Sequence, residues 1–94
     1  MKIQYSKHAL AKIEERKIDK TLIERVLINA ELTFYDIVNR TFVGISKVKI
    51  QEFETNLVVV YTKSEENFKI VTVYPCKNIE KEIKAKEKNR WIRI

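Results

Sequence analysis

The stretch KHALAKIEER, Lys7 to Arg16, holds the one histidine of a 94-residue chain. His8, Lys12 and Arg16 stand four residues apart. On a helix each such step turns about 40°, so the three form one slowly winding stripe. Ala9, Leu10 and Ile13 fall away from His8, which leaves the stripe polar and accessible. Metal-free RNA cleavage asks for a base at the 2′-hydroxyl, cations around the crowded phosphate and an acid at the leaving 5′ oxygen. Histidine suits the first or last task near neutral pH, and Lys and Arg suit the second. The competing reading is a solvated helix face that carries a histidine in its first turn.

Tyr61 and Tyr74 come late in the two most apolar segments and join the catalytic candidates, since a phenol can stack on a base or donate a proton. Rim packing is the alternative for both. Nucleic-acid contacts are expected from Arg40, in a turn, and from the tail residues Lys77, Arg90, Trp91 and Arg93. The tail mixes cations with an aromatic ring, a combination that grips a backbone and stacks on bases. Docking of Trp91 onto the domain is the competing role.

Composition removes several classes. One cysteine, Cys76, cannot form an intramolecular disulfide, and one Cys with one His cannot complete a four-ligand zinc site. Neither a metal nor a cofactor is expected, and a single glycine leaves no phosphate-cradling loop. Hydrophobic residues make 45% of the chain and charged ones 34%, the balance of a globular domain. No apolar run approaches the roughly 20 residues of a membrane helix, and the start lacks a signal-like stretch, so a cytoplasmic location is expected. The net charge is +6. Residues 1–20 carry six Lys/Arg against three acids, residues 21–76 six against seven, and residues 77–94 seven against three. The excess thus sits at both chain ends, which would make one polyanion-binding surface if the ends met in space. A plain Lys/Glu-rich surface is the alternative.

These candidates need elements to hold them. Ser6 caps a helix running to about Arg16, and Asp19 caps a second from Lys20 to about Asn29, with Leu22, Ile23, Val26, Leu27 and Ala30 on one face. Strands follow at 32–36, 41–45, 56–62 and 68–74, with a turn at 37–40. Val48 and Ile50 continue apolar but out of phase with Val43 and Ile45, which with Gly44 predicts a bulge or bend. Pro75 is expected to end the fourth strand. Asn78 caps a last helix, from Ile79 to about Lys88, with a thin apolar stripe of Ile79 and Ile83 that places it at the periphery. The fold class is α+β: one domain, 1–94, with two N-terminal helices packed on one face of an antiparallel meander of about four strands, plus a C-terminal helix.

In this order and spacing, His8-Ala9, Ile13, Arg16, Ile18, Val58-Val59-Val60-Tyr61, Thr72-Val73-Tyr74-Pro75 and Arg90-Trp91 resemble small domains of the RelE/ParE-like toxin superfamily. The pattern is nearest to the BrnT-like ribonuclease toxins and a related prokaryotic family of unknown function. Lys12 departs from the pattern's arginine and Lys17 from its glycine. The resemblance implies a RelE-like fold, a metal-independent toxin-type ribonuclease and a small acidic antitoxin-like partner. Two further expectations stand beside it: a non-catalytic module that binds RNA or an acidic protein through the basic face, and a homo-oligomer joined along an outer strand.

Overall fold

The computed structural model describes residues 2–94. Its elements run β1 (Lys2–Tyr5), α1 (Lys7–Arg16), α2 (Lys20–Asn29), β2 (Leu32–Asp36), β3 (Thr41–Ile50), β4 (Phe53–Ser64), β5 (Asn67–Cys76), α3 (Ile79–Glu87) and β6 (Trp91–Arg93). The helices form where capping residues and apolar spacing coincide. The Ser6 hydroxyl accepts from the Ala9 N–H at 3.0 Å, Asp19 from Thr21 at 2.9 Å and Asn78 from Lys81 at 3.3 Å, each satisfying an orphan donor of a first turn.

The α1–α2 link is a Schellman turn. Lys17 adopts φ 52°, ψ 49°; its N–H reaches the Glu14 carbonyl, while the Ile18 N–H reaches the Ile13 carbonyl at 3.0 Å. Ile13 and Ile18 are buried in the same core cluster, the hydrophobic contact that accompanies this turn. Lys17 therefore holds the left-handed geometry that glycine takes without strain.

The sheet has six strands in the order β1-β5-β4-β3-β2-β6, not about four in a simple meander. β1 pairs in parallel with β5, and β6 pairs antiparallel with β2, so both chain ends are edge strands on opposite sides. Three-residue and four-residue strands carry too little pattern to stand out, and a parallel partner 65 residues away leaves no local signal.

The helices do not share one face of this sheet. Leu57, Val59 and Tyr61 of β4 point to α1 and α2, joining Ala9, Ile13, Ile23, Val26 and Leu27. Val58 points the other way, into a second core with Phe34, Val43, Ile45, Trp91 and Ile83 of α3. Burial of both faces explains why β4 reads as an unbroken apolar run. The same two-sidedness explains β3: it pairs continuously with β4 from Phe42 to Ile50, without the expected bulge. Val43 and Ile45 serve the α3 side while Val48 and Ile50 serve the α1–α2 side. Gly44 lies under α2, where a Cβ would stand 3.4 Å from the Ala30 Cβ.

The irregularity lies in β5 instead. Val60 pairs with Thr72 and Tyr61 with Ile70, so Val71 is the extra residue. Its carbonyl accepts the Ser6 hydroxyl at 2.8 Å, tying the start of α1 to the bulge. Pro75 does not end β5; it pairs with Leu57. β1 reaches only to Ile70 along β5, so Pro75 stands on an open edge where its missing donor costs no ladder bond.

Candidate functional site

The sequence-predicted residues divide between two faces and two ends of the sheet. His8 lies exposed on α1. Lys12 is half-buried and pairs with Glu15 at 3.7 Å. Arg16, at the end of α1, lines a cavity with Lys77, Thr55, Gln51, Ile50, Phe53 and Pro75. Tyr61 shares the α1–α2 face but is 8% exposed, with ring centroids 5.6 Å from Phe42 and 5.9 Å from Phe68. Burial raises its phenol above the ordinary value. Tyr74 belongs to the opposite face, so the two tyrosines and the His8 stripe do not converge.

The α3 face holds a cleft of about 610 Å³, in which Asp36, Asn39, Thr41, Thr62, Thr72, Tyr74, Lys86 and Arg90 stand against apolar walls of Val43, Val60, Val71 and Trp91. The key residue is Asp36, the last residue of β2 and not among the candidates that the sequence offers. It is 3% exposed, and four donors reach it. The Val38 and Asn39 N–H groups donate to Oδ1 at 2.9 and 3.1 Å, the Asn39 side chain donates to Oδ2 at 3.3 Å, and Arg90 Nη2 donates to Oδ2 at 2.7 Å. Burial pushes the carboxyl up, but the Arg90 hydrogen bond, the two backbone donors and the Arg90 charge outweigh it and hold the pKa below its usual value. The Arg90 guanidinium is in turn held charged by that hydrogen bond.

This carboxylate builds the site locally. Asp36 folds the 37–40 turn around its own side chain, and the Ile37 N–H donates to the Arg90 carbonyl at 2.8 Å. Turn and α3–β6 link are thereby fastened together. Arg40 closes the turn with φ 56° and is exposed at the same end. Trp91 packs its ring 5.2 Å from Phe34 and is 5% exposed, so the indole serves the core. Arg93 lies over the Phe34 ring at 5.4 Å. Lys77 follows the far end of β5, where Cys76 pairs with Asn56. Asn56 in turn faces Lys47, six residues along β3 from Thr41, about 20 Å at strand rise.

Tyr74 offers the cleft a proton donor: burial, then the charge of Glu82, push its phenol up to about 12. The phenol stays protonated throughout the neutral range. Two further groups are buried without partners, Thr41 Oγ1 and Arg90 Nε. Cys76 is half-buried, and burial with Glu82 nearby raises its thiol, which disfavours the nucleophilic thiolate. Among the described residues no group of three or more His, Cys, Asp or Glu gathers as a metal site. Among the described residues no helix is long and apolar enough to cross a membrane.

The two basic ends meet only where Arg16 and Lys77 line one cavity; otherwise they stay apart, because α1 and α3 lie on opposite faces and β1 and β6 on opposite edges. Of the cations of residues 77–94, Lys86, 3.9 Å from Glu82, and Arg90 line the cleft, Lys81, Lys84, Lys88 and Arg93 are exposed, and Lys77 lines the cavity at the end of α1. Asp36 could have been found from sequence: an aspartate one residue before a four-residue turn is the standard position for an Asx-type cap.

Comparison with curated proteins and with solved structures gave no match. A family model does match, across residues 5–75, which takes in α1, α2, the Asp36 turn and Tyr74 but stops short of α3 and Arg90. On that match over most of its length, the chain belongs to the family described as domain of unknown function DUF4258.

Proposed function

We propose that the protein binds RNA along its α3 face, as a derivative of the RelE/ParE-like and BrnT-like toxin domains that its sequence pattern resembles. The observation that carries this reading is that Lys86 and Arg90 of the basic C-terminal segment line a cleft that also presents Thr41, Thr62, Thr72, Asn39 and Tyr74. Exposed Lys84, Lys88, Arg40 and Arg93 supply phosphate contacts, while Thr62, Thr72, Asn39 and Tyr74 offer hydrogen bonds to sugar and base edges. Arg90, neutralised by Asp36, shapes the cleft more than it charges it.

The test is single-stranded RNA binding across a salt series. Each phosphate contact contributes a slope of about −0.7 in log K against log salt, so about three contacts give roughly −2. Charge reversal at Lys84 and Lys88 flattens that slope. Binding that ignores salt, or a slope unchanged in the reversed variant, overturns the reading.

A second reading, a metal-independent ribonuclease, is favoured by one observation: Tyr74, a phenol that stays protonated, shares the cleft with Lys86 and Arg90. These are an acid and two cations of a cleavage site. The cleft lining contains no histidine, and Asp36 is committed to Arg90, so binding ranks ahead of cleavage. Products ending in 2′,3′-cyclic phosphate, lost in Tyr74→Phe, would put cleavage first. Equal cleavage by His8→Ala would acquit the histidine. A small acidic antitoxin-like partner would occupy the same basic face and compete with RNA.

A further inference from the structure

We infer that the cavity at the end of α1 is a binding site for a phosphate monoester carried on a flat ring, as in a nucleoside monophosphate. The cavity holds about 320 Å³, at the small end of the range for ligand pockets. It lies on the α1–α2 side of the sheet, so the inference is independent of RNA binding along α3.

Two observations point to a ligand. Thr55 lines the cavity, is 9% exposed, and its Oγ1 has no hydrogen-bond partner. Arg16 Nε is likewise buried and unbonded, and the guanidinium has no ion pair among the described residues. Buried polar groups without partners are costly in a native fold, and acceptors brought into the cavity they line would supply partners.

The donors define the acceptor. Arg16 brings a fork of N–H groups, Thr55 a hydroxyl, Lys77 an ammonium and Gln51 an amide. With two cations among four donor groups, that set suits the charge and the three terminal oxygens of a phosphate monoester better than the single charge of a carboxylate. The carbonyls of Ile13 and Glu14 at the end of α1 are already occupied by the Ile18 and Lys17 N–H groups, which mutes their repulsion of an anion. The acids adjacent in sequence to the lining residues are Glu15, paired with Lys12, the exposed Glu52, and Glu54, which lines an adjoining cavity with Lys47 and Lys77; none of them lines this cavity. The remaining walls are Ile50, Pro75 and Phe53, whose side chain is exposed at the rim. An exposed aromatic ring beside two cations suits a base that stacks while its phosphate meets Arg16 and Lys77.

The experiment is an amide-shift titration of the full chain with AMP, inorganic phosphate and adenosine. AMP shifts amides at 16–17, 51–55 and 76–77 saturably; inorganic phosphate shifts the same set at higher concentration; adenosine leaves Arg16 and Lys77 unmoved. Thr55→Val and Arg16→Gln each weaken AMP about tenfold or more, and Phe53→Ala brings AMP down to the level of inorganic phosphate. Thr55→Val preserves shape and Phe53 is exposed, so a failure of one variant to fold leaves the other informative. Shifts spread over surface lysines, or AMP affinity unchanged in both Arg16→Gln and Thr55→Val, overturn the proposal. A 5′-phosphorylated oligonucleotide that displaces AMP where its 5′-hydroxyl twin does not identifies an RNA end as the source; displacement by neither identifies the free nucleotide. Charge reversal at Lys84 and Lys88 leaves AMP binding intact, which separates this site from the α3 face.

Discussion

Arg90 and Arg16 each present a guanidinium to a cavity that also contains a buried threonine hydroxyl without a partner, Thr41 in one case and Thr55 in the other. In both arginines Nε is buried and unbonded. The two differ in their countercharge. Arg90 meets Asp36 at 2.7 Å, whereas Arg16 has no carboxylate within ion-pair distance among the described residues. A paired guanidinium has spent its charge on the fold, and an anion would have to compete with a resident carboxylate to reach it. An unpaired one keeps its charge for a ligand. The contrast assigns Arg90 to architecture and Arg16 to recognition, although the sequence reading had put Arg16 with catalysis and Arg90 with nucleic-acid contacts.

Stability measurements break or uphold this contrast most directly. Asp36→Ala removes the acceptor of two backbone N–H groups and the partner of Arg90, and is expected to cost about 3 kcal/mol in denaturant unfolding. Arg16→Ala is expected to stay within about 0.5 kcal/mol of the parent, since it removes no ion pair. Equal losses from the two substitutions would erase the distinction between a structural and a receptor arginine.

The same pair predicts a pH dependence. Asp36 has a folded-state pKa below its unfolded one, so its stabilisation is fully present above the unfolded value near 4. It is lost as the pH falls through the lower folded value. The stability of the parent therefore drops in acid below about pH 4, and Asp36→Ala shows a shallower drop across that window. Unfolding free energies of both proteins between pH 2 and 6 check this. Parallel curves would mean that Asp36 ionises equally in both states.

Legibility in the sequence followed how local each cause was. Ser6, Asp19 and Asn78 each act within three residues of themselves, and the three helices begin where these caps predict. The shift from Val43 and Ile45 to Val48 and Ile50 is visible in the sequence, but its meaning depends on what covers each face. With helices assumed on one face it reads as a bulge; with α3 on the other it is a straight strand serving two cores. The real bulge at Val71 sits inside a run of β-branched residues, Ile70 to Val73, with no glycine to mark it. The cleft was hidden for the same reason. Asp36 and Arg90 are 54 residues apart, and nothing local to either names the other. Pairing of β6 with β2 brings Trp91 opposite Asp36, and that long-range register puts Arg90 within reach of the carboxylate.

Smaller effects test how α1 carries Arg16 to its cavity. Ser6 bonds both the Ala9 N–H and the Val71 carbonyl, so it fixes the start of α1 to the bulge in β5. Ser6→Ala is expected to cost about 1–2 kcal/mol, a cap and one long-range hydrogen bond together. It should also weaken AMP binding at the far end of α1, while RNA binding on the α3 face stays unchanged. Loss of both would show that the two regions are not independent.

The smallest effect has the opposite sign. Lys17 ends α1 in the left-handed region at φ 52°, and its side chain is exposed, so the position needs a backbone conformation rather than a lysine. Lys17→Gly relieves the Cβ strain, offset in part by the greater freedom of glycine in the unfolded chain, for a net gain of about 0.5–1 kcal/mol. The Schellman turn survives the change because its two hydrogen bonds are backbone bonds and its apolar contact is Ile13 with Ile18. Arg16 therefore keeps its place, and the AMP-induced shifts at 51–55 and 76–77 persist in a more stable protein. A variant that gains stability but loses those shifts would place Lys17, rather than Arg16, at the phosphate.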